Sequence, residues 1–243
     1  MNRVSFPNSL AMMGKLAHAN SVIDKFLYSC SHSMRGPLKT IRGLVNLISE
    51  NNQANQKPEP ILDLIQRTAG NLENILNQME QFLESAKREM KIELVDILTL
   101  IKQCEEKFQH ELQSQSIEVI VNIDTEDEML ATDKEYLKTI LIQLFSNAIQ
   151  FADPSKGKRM IQIDGKKSRS SYELTFSDNG LGIPHECIGK VFQLFFRATE
   201  KSRGAGIGLY IVKQAVDELK GLISLQSQVA SGTKFSIWLP NLK

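Results

Sequence analysis

Two stretches of the chain carry side chains at spacings that chemistry could use. In the first, from Asp133 to Phe151, the apolar residues Leu137, Ile140, Leu141, Leu144, Phe145 and Ala148 define one helical face. Gln143, Asn147 and Gln150, four and three residues apart, form a polar stripe along its edge. Taken by itself, such a stripe reads as a half-solvated helix flank. Downstream, Asp178 closes an alternating run and is followed by Gly180 and Gly182. A carboxylate at a strand end can accept a hydrogen bond from an adenine amino group, and glycine lets the backbone approach the base closely. Gly204, Gly206 and Gly208 then lead into an amphipathic segment, an anion cradle at a helix N-terminus. The dinucleotide fingerprint needs a preceding strand and another spacing, and the P-loop needs a lysine after its last glycine, so neither applies. Gly232 and Thr233 precede the final strand.

The second stretch surrounds His32. Leu27, Cys30, Met34, Leu38, Ile41, Val45 and Ile48 recur at helical steps. At about 100° per residue they cluster within an arc of roughly 80°, while His32 falls about 165° from its centre and faces water. Pro37 lies inside this helical pattern, where it removes a backbone hydrogen bond at a cost of about 3 kcal/mol. Gly36 weakens the same turn, so the helix is expected to bend one turn below the histidine.

The elements that position these groups fall into two parts. Helical periodicity runs from about Leu10 to Glu50. A polar turn, Asn51 to Pro60, ends in two prolines, and a second periodic run carries Ile61, Leu64, Ile65, Thr68, Leu72, Ile75, Leu76, Met79 and Leu83. Two helices make a hairpin whose apolar stripe stays partly wet unless a second copy packs against it, which predicts a homodimeric four-helix bundle. Beyond about Lys91, strands are predicted at Ile117–Ile123, Met160–Asp164, Tyr172–Ser177, Leu222–Gln226 and Lys234–Leu239. Helices are predicted near Val95–Ser114, Asp133–Phe151 and Ile207–Leu219. A hairpin around Gly165 to Ser171 makes the sheet mixed, giving an α/β sandwich.

Composition narrows the classes. The 243 residues are enough for two ordinary domains, and 29 basic against 28 acidic residues leave no polyanion-binding footprint, so no nucleic-acid partner is expected. Three widely separated cysteines, Cys30, Cys104 and Cys187, fit neither a zinc site nor a secreted disulfide framework and read as reduced thiols. The apolar stretches are far shorter than the roughly 20 residues of a membrane span, and Met1 to Leu16 lacks the features of a signal peptide. The segment is therefore expected in the cytoplasm without membrane contact, free or as the cytoplasmic part of a longer sensor. His18, His110 and His185 lie outside any motif, and Lys156, Lys158, Arg159, Lys166, Lys167 and Arg169 read as a solvated basic face.

The segment Phe26 to Leu38, FLYSCSHSMRGPL, resembles the phosphoacceptor box of dimeric sensor histidine kinases, with Ser31, His32, Met34, Arg35, Pro37 and Leu38 matching. Ser33 replaces the acidic residue that in the family hydrogen-bonds the imidazole, and Gly36 replaces the polar residue used for dephosphorylating the response regulator. QLFSNAIQF resembles the family's asparagine box, with Gln143 and Gln150 replacing the commoner asparagine and lysine. DNGLGIP, VFQLFFR, GAGIGLY and Gly-Thr follow in the family's order. The resemblance covers nearly all of the chain. It implies a dimerisation and phosphoacceptor hairpin over residues 1–90 and an ATP-binding domain of the Bergerat-type fold over 91–243. His32 would be the phosphoacceptor and Asn147 the Mg²⁺ ligand. Gln150, Asp178, Gly180, Gly182, Arg197, Gly204, Gly206, Gly208, Leu209 and Thr233 would contact ATP. A short lid from Phe192 to Arg203 would offer Lys201 and Arg203 to the phosphates, the linker near Arg88 to Glu93 would act as a hinge, and the partner would be a response-regulator receiver domain. Two alternatives stand beside this reading: a pseudokinase or phosphorelay protein, suggested by Ser33 and Gln150, and an ATPase that opens and closes as a clamp.

Overall fold

The computed structural model describes residues 28, 31, 34–49, 59–85, 89–124, 129–199 and 206–242. The chain divides into two compact units, with the boundary between Met79 and Glu80.

The first unit contains helix α1, residues 34–49, and most of helix α2, Glu59–Ser85. Helix α1 continues through Gly36 and Pro37, and the Thr40 hydroxyl donates to the Gly36 carbonyl at 3.2 Å within that turn. On α1 the residues that lose solvent are Met34, Pro37, Ile41, Leu44 and Ile48. On α2 they include Ile61, Ile65, Thr68, Leu72, Ile75 and Met79. Both series alternate steps of three and four, the seam of a coiled-coil pair. The expected seam is therefore corrected at two α1 positions: Leu38 and Val45 are exposed, and Pro37 and Leu44 take their place. On α2, Leu64 and Leu76 are likewise exposed, as are Leu47 and Leu62. Each of these leucines and Val45 sits one residue to either side of a seam residue, so each helix carries apolar flanks beside its seam. Ile75, at 4% exposure, is the buried hydrophobic residue of the described α1 and α2.

The second unit is a helix layer on a sheet. Strand β1 (Ile92–Asp96) leads into helices α3 (Ile97–Lys107) and α4 (Gln109–Ser114), then β2 (Ile117–Ile123), β3 (Met129–Asp133), α5 (Lys134–Gln150), β4 (Arg159–Lys167) and β5 (Ser171–Asp178). A single-turn helix α6 (His185–Ile188), helix α7 (Gly208–Glu218) and strands β6 (Leu222–Gln228) and β7 (Gly232–Pro240) complete it. The large sheet has the order β2-β4-β5-β7-β6, with β2 and β4 parallel and the other neighbours antiparallel, so it is mixed as expected. Alternation sets its faces: Tyr172, Leu174 and Phe176 of β5 and Phe235, Ile237 and Leu239 of β7 point into the core. They meet α3, α5 and α7, with Phe145 of α5 edge-on to Phe176 at 5.2 Å between ring centres. Cys104 lies in this core, where burial pushes its thiol up to about 11, and it is free, as is Cys187.

A separate antiparallel ribbon of β1 and β3 was not expected. It replaces the start of the helix predicted from Val95, and Phe108 separates α3 from α4 where one helix was expected. The ribbon ends on Asp133, wholly buried, whose carboxylate caps α5 by accepting from the N–H groups of Glu135 and Tyr136 at 3.0 and 3.1 Å. It also accepts from the Lys91 N–H at 2.6 Å. The chain's last described residues tie the ribbon to the large sheet, through Leu242 N–H to the Ala131 carbonyl and Asn241 N–H to the Ser170 carbonyl.

Replacing Asp133 by Ala would leave three backbone donors, that of Tyr136 fully buried, without their acceptor. The expected loss is about 2–4 kcal/mol in urea unfolding of the second unit. Asp133→Asn, which keeps an acceptor oxygen, should recover part of it.

Candidate functional site

The helix bearing the polar stripe and the strand ending in Asp178 meet at Phe151, the C-cap of α5. The Phe151 N–H donates to the Asn147 carbonyl at 3.0 Å, and the Phe151 carbonyl accepts from Leu181 N–H at 2.9 Å. Two backbone bonds thus join Asn147 to the loop that follows Asp178. Gly180 lies so close to the same carbonyl that a Cβ there would stand 2.4 Å from it. Gly182 adopts φ +69°, a left-handed conformation open to glycine, with the Gln228 carbonyl 2.0 Å from where a Cβ would be. Both glycines are therefore dictated by close backbone packing.

Asp178 pairs in register with Thr233 of β7. Burial raises its carboxyl from 3.8 to about 6, opposed by hydrogen bonds from the backbone N–H groups of Gly180 and Thr233 and by the charge of Lys156. The Thr233 hydroxyl lies 3.0 Å from Ser227 Oγ, which also donates to the Gly232 carbonyl and accepts from Ile183 N–H at 2.8 Å. Ser227 therefore joins β6, β7 and the 181–183 loop. No pattern in the sequence marked it.

Along α5, Gln143 is buried and Asn147 half-buried, and the Asn147 amide nitrogen has no hydrogen-bond partner. An orphaned polar atom is unusual in a folded protein and fits a group completed by a ligand. A Cβ on Gly208, at the start of α7, would lie 2.7 Å from Gln143 Oε1, so the missing side chain lets α7 begin against the polar stripe. Phe195 N–H donates to the Gly206 carbonyl at 2.8 Å, tying the phenylalanine-rich segment to the glycine run.

Contacts therefore connect Asn147, Asp178, Gly180, Gly182 and Thr233 in one network, and link Gly208 to the stripe at Gln143. Gln150 is half-buried one turn beyond Asn147, Leu209 packs on the core and Arg197 is exposed. His32, Ser33, Lys201, Arg203 and Gly204 lie outside the described residues. Of the expected hinge segment, Lys91 is fixed to Asp133 and Ile92 and Glu93 belong to β1.

Asn179 was missed as well. Its Oδ1 accepts from Met160 N–H at 3.0 Å and its Nδ2 donates to the Lys158 carbonyl at 2.8 Å, pinning the residue after Asp178 to the α5–β4 loop and the start of β4. Its place in an Asp-Asn-Gly turn is the one signal that could have marked it.

Comparison with known proteins places this arrangement. Residues 132–243 match the family described as histidine kinase-, DNA gyrase B-, and HSP90-like ATPase, and residues 23–90 match the His Kinase A (phospho-acceptor) domain. The chain belongs to the sensor histidine kinases of two-component systems, with a phosphoacceptor-type domain ahead of an ATPase-type domain. It is 25% identical over 210 residues to the sensor histidine kinase ZraS of Escherichia coli K12, covering 86% of this chain and 44% of that protein. The chain thus spans less than half the length of this curated relative. Its fold resembles the histidine kinase ThkA solved in complex with the response regulator protein TrrA, with a TM-score of 0.74 and 21% identity over 99% of this chain and 68% of that one. It also resembles full-length ShkA in complex with AMPPNP, with a TM-score of 0.61 and 20% identity over 89% of this chain and 45% of that one. No helix among the described residues is long and apolar enough to cross a membrane.

The raised Asp178 carboxyl favours the folded state when protonated. That contribution is complete below pH 3.8 and is lost as pH rises through about 6, a difference of about 3 kcal/mol. Asp178→Asn should therefore stabilise the unliganded second unit at pH 7 by up to that amount, with the gain vanishing near pH 4. Urea unfolding at the two pH values measures it.

Proposed function

We propose that this chain is a protein histidine kinase core that autophosphorylates on His32 with Mg-ATP and passes the phosphoryl group to an aspartate of a response-regulator receiver domain. Residues 1–90 serve as the dimerisation and phosphoacceptor hairpin and 91–243 as the catalytic domain. The observation that carries the reading is the joined site of Asn147 and Asp178 in a chain that also bears a phosphoacceptor-type domain.

In this reading Asp178, at its strand end, accepts from the adenine amino group. Thr233 and the backbone of Gly180 and Gly182 shape the wall of that pocket. Gly204, Gly206, Gly208 and Leu209 bring the N-terminus of α7 to the phosphates, where N–H groups and the helix dipole stabilise negative charge. Gln150 and Arg197 line the nucleotide's approach. The Asn147 carboxamide oxygen is the group to hold Mg²⁺, which when bound supplies charge neutralisation at the phosphates, while its unpartnered amide nitrogen is free to donate to a phosphate oxygen. A His32 ring nitrogen then forms a bond to the γ-phosphorus as the bond to the β,γ-bridging oxygen breaks and ADP leaves. With Ser33 beside it in place of a carboxylate, the developing imidazolium has a hydroxyl for support, and positioning carries most of the rate.

The first unit's surface supports homodimerisation. Leu38, Val45, Leu62 and Leu76 flank the seam of each helix and stand 44–52% exposed. A second hairpin packed along that edge would remove them from water at about 25 cal/mol per Å².

Incubation with γ-labelled ATP should give acid-labile label in wild type, none in His32→Gln, and at least about 100-fold slower labelling in Asn147→Ala. Label persisting in His32→Gln would sink the assignment. In sedimentation, Val45→Glu with Leu76→Glu should shift the protein from twice the chain mass to once, through like charges placed on the shared apolar edge.

A further inference from the structure

Among the basic residues between α5 and β5, one behaves unlike its neighbours. Lys158 pairs with Glu118 at 2.8 Å between two exposed side chains. Lys156 instead folds inward, half-buried, and its Nζ donates to the carbonyl of Asn179, the residue after Asp178. Its own N–H donates to the Asp153 carbonyl at 3.2 Å, which closes the loop that carries it. Asn179 is held from the other side by Met160 and Lys158, so the ammonium is anchored to a fixed point.

We propose that Lys156 is a positioning residue of the nucleotide site, which clamps the Asn179 turn and sets a positive charge beside Asp178 so that its carboxylate is ionised at neutral pH. Asp178 needs such help. It is half-buried at a strand end, its register partners are Ile161 of β4 and Thr233 of β7, and neither carries charge. Its other support is backbone, from Gly180 and Thr233. Lys156 is the charged side chain that acts on it among the described residues. Lys234, beside Thr233, is exposed. Asp153, on the loop of Lys156, is engaged by the Ser155 N–H and hydroxyl at 2.9 and 2.7 Å, and it feels both Lys156 and Arg159. An ionised Asp178 is the stronger acceptor for an amino group, and a protonated one presents a competing donor. Lys156 thereby widens the pH range over which a purine with an exocyclic amino group is held.

The inference deepens the nucleotide reading, and its binding arm rests on that reading, whereas its titration arm does not. In the unliganded chain, the carbon-13 carboxyl signal of Asp178 can be identified by its loss in Asp178→Asn and followed with pH. The midpoint should rise by about 0.5–1.0 in Lys156→Met and stay with wild type in Lys156→Arg. A fluorescent ATP analogue bound at pH 6 and pH 8 gives the second measurement. The ratio of the two affinities should grow by about two- to fivefold in Lys156→Met and not in Lys156→Arg. A midpoint unmoved in Lys156→Met overturns the proposal, as does equal weakening at both pH values, which marks a purely structural lysine. Should wild type bind no analogue at either pH, the nucleotide reading fails and the carboxyl midpoint alone still decides the role of Lys156.

Discussion

The carbonyl of Phe151 is the contact on which the second unit's site depends. It terminates α5, accepts the N–H of Leu181, and crowds Gly180. That bond ties the end of the α5 polar stripe directly to the turn that follows the carboxylate of β5. A backbone acceptor at a helix end needs a partner, and here the partner is the turn after a strand rather than a capping side chain. The requirement fixes residue types on both sides. The loop must carry a glycine where the carbonyl intrudes, and the helix must end at that point and no later.

Hydrophobic burial divides the chain's labour. The second unit closes a core of its own around Phe145, Phe176, Leu141 and Ile237, each at or near zero exposure. Among the described residues of the first unit the pattern differs: two helices with a three-and-four seam leave leucines on both flanks in water. A domain complete in itself can move as a body, and a domain with an unfinished core stays committed to a partner.

Much of this was legible in the amino-acid order. The five strands of the large sheet announce themselves by alternation, as in Tyr172-Glu-Leu-Thr-Phe, and the α5 face by helical spacing. The ribbon of β1 and β3 was not, because Ile92–Asp96 and Met129–Asp133 are five residues each and pair across about 40 positions of sequence, beyond the reach of any local signal. The seam of α1 was misplaced because Leu38 and Val45 compete with Pro37 and Leu44 for the same arc, and periodicity alone does not choose between adjacent rows. At the site, glycines and Asp178 stand out by type, whereas Ser227, Asn179 and Lys156 act through backbone carbonyls and N–H groups that composition does not display.

Lys91, the last residue before β1, is bonded to the same carboxylate that starts α5. Lys91 thus stands at the butt of a stiff rod 17 residues long, whose far portion bears Asn147. Asn147 lies about 20 Å along that rod from Asp133.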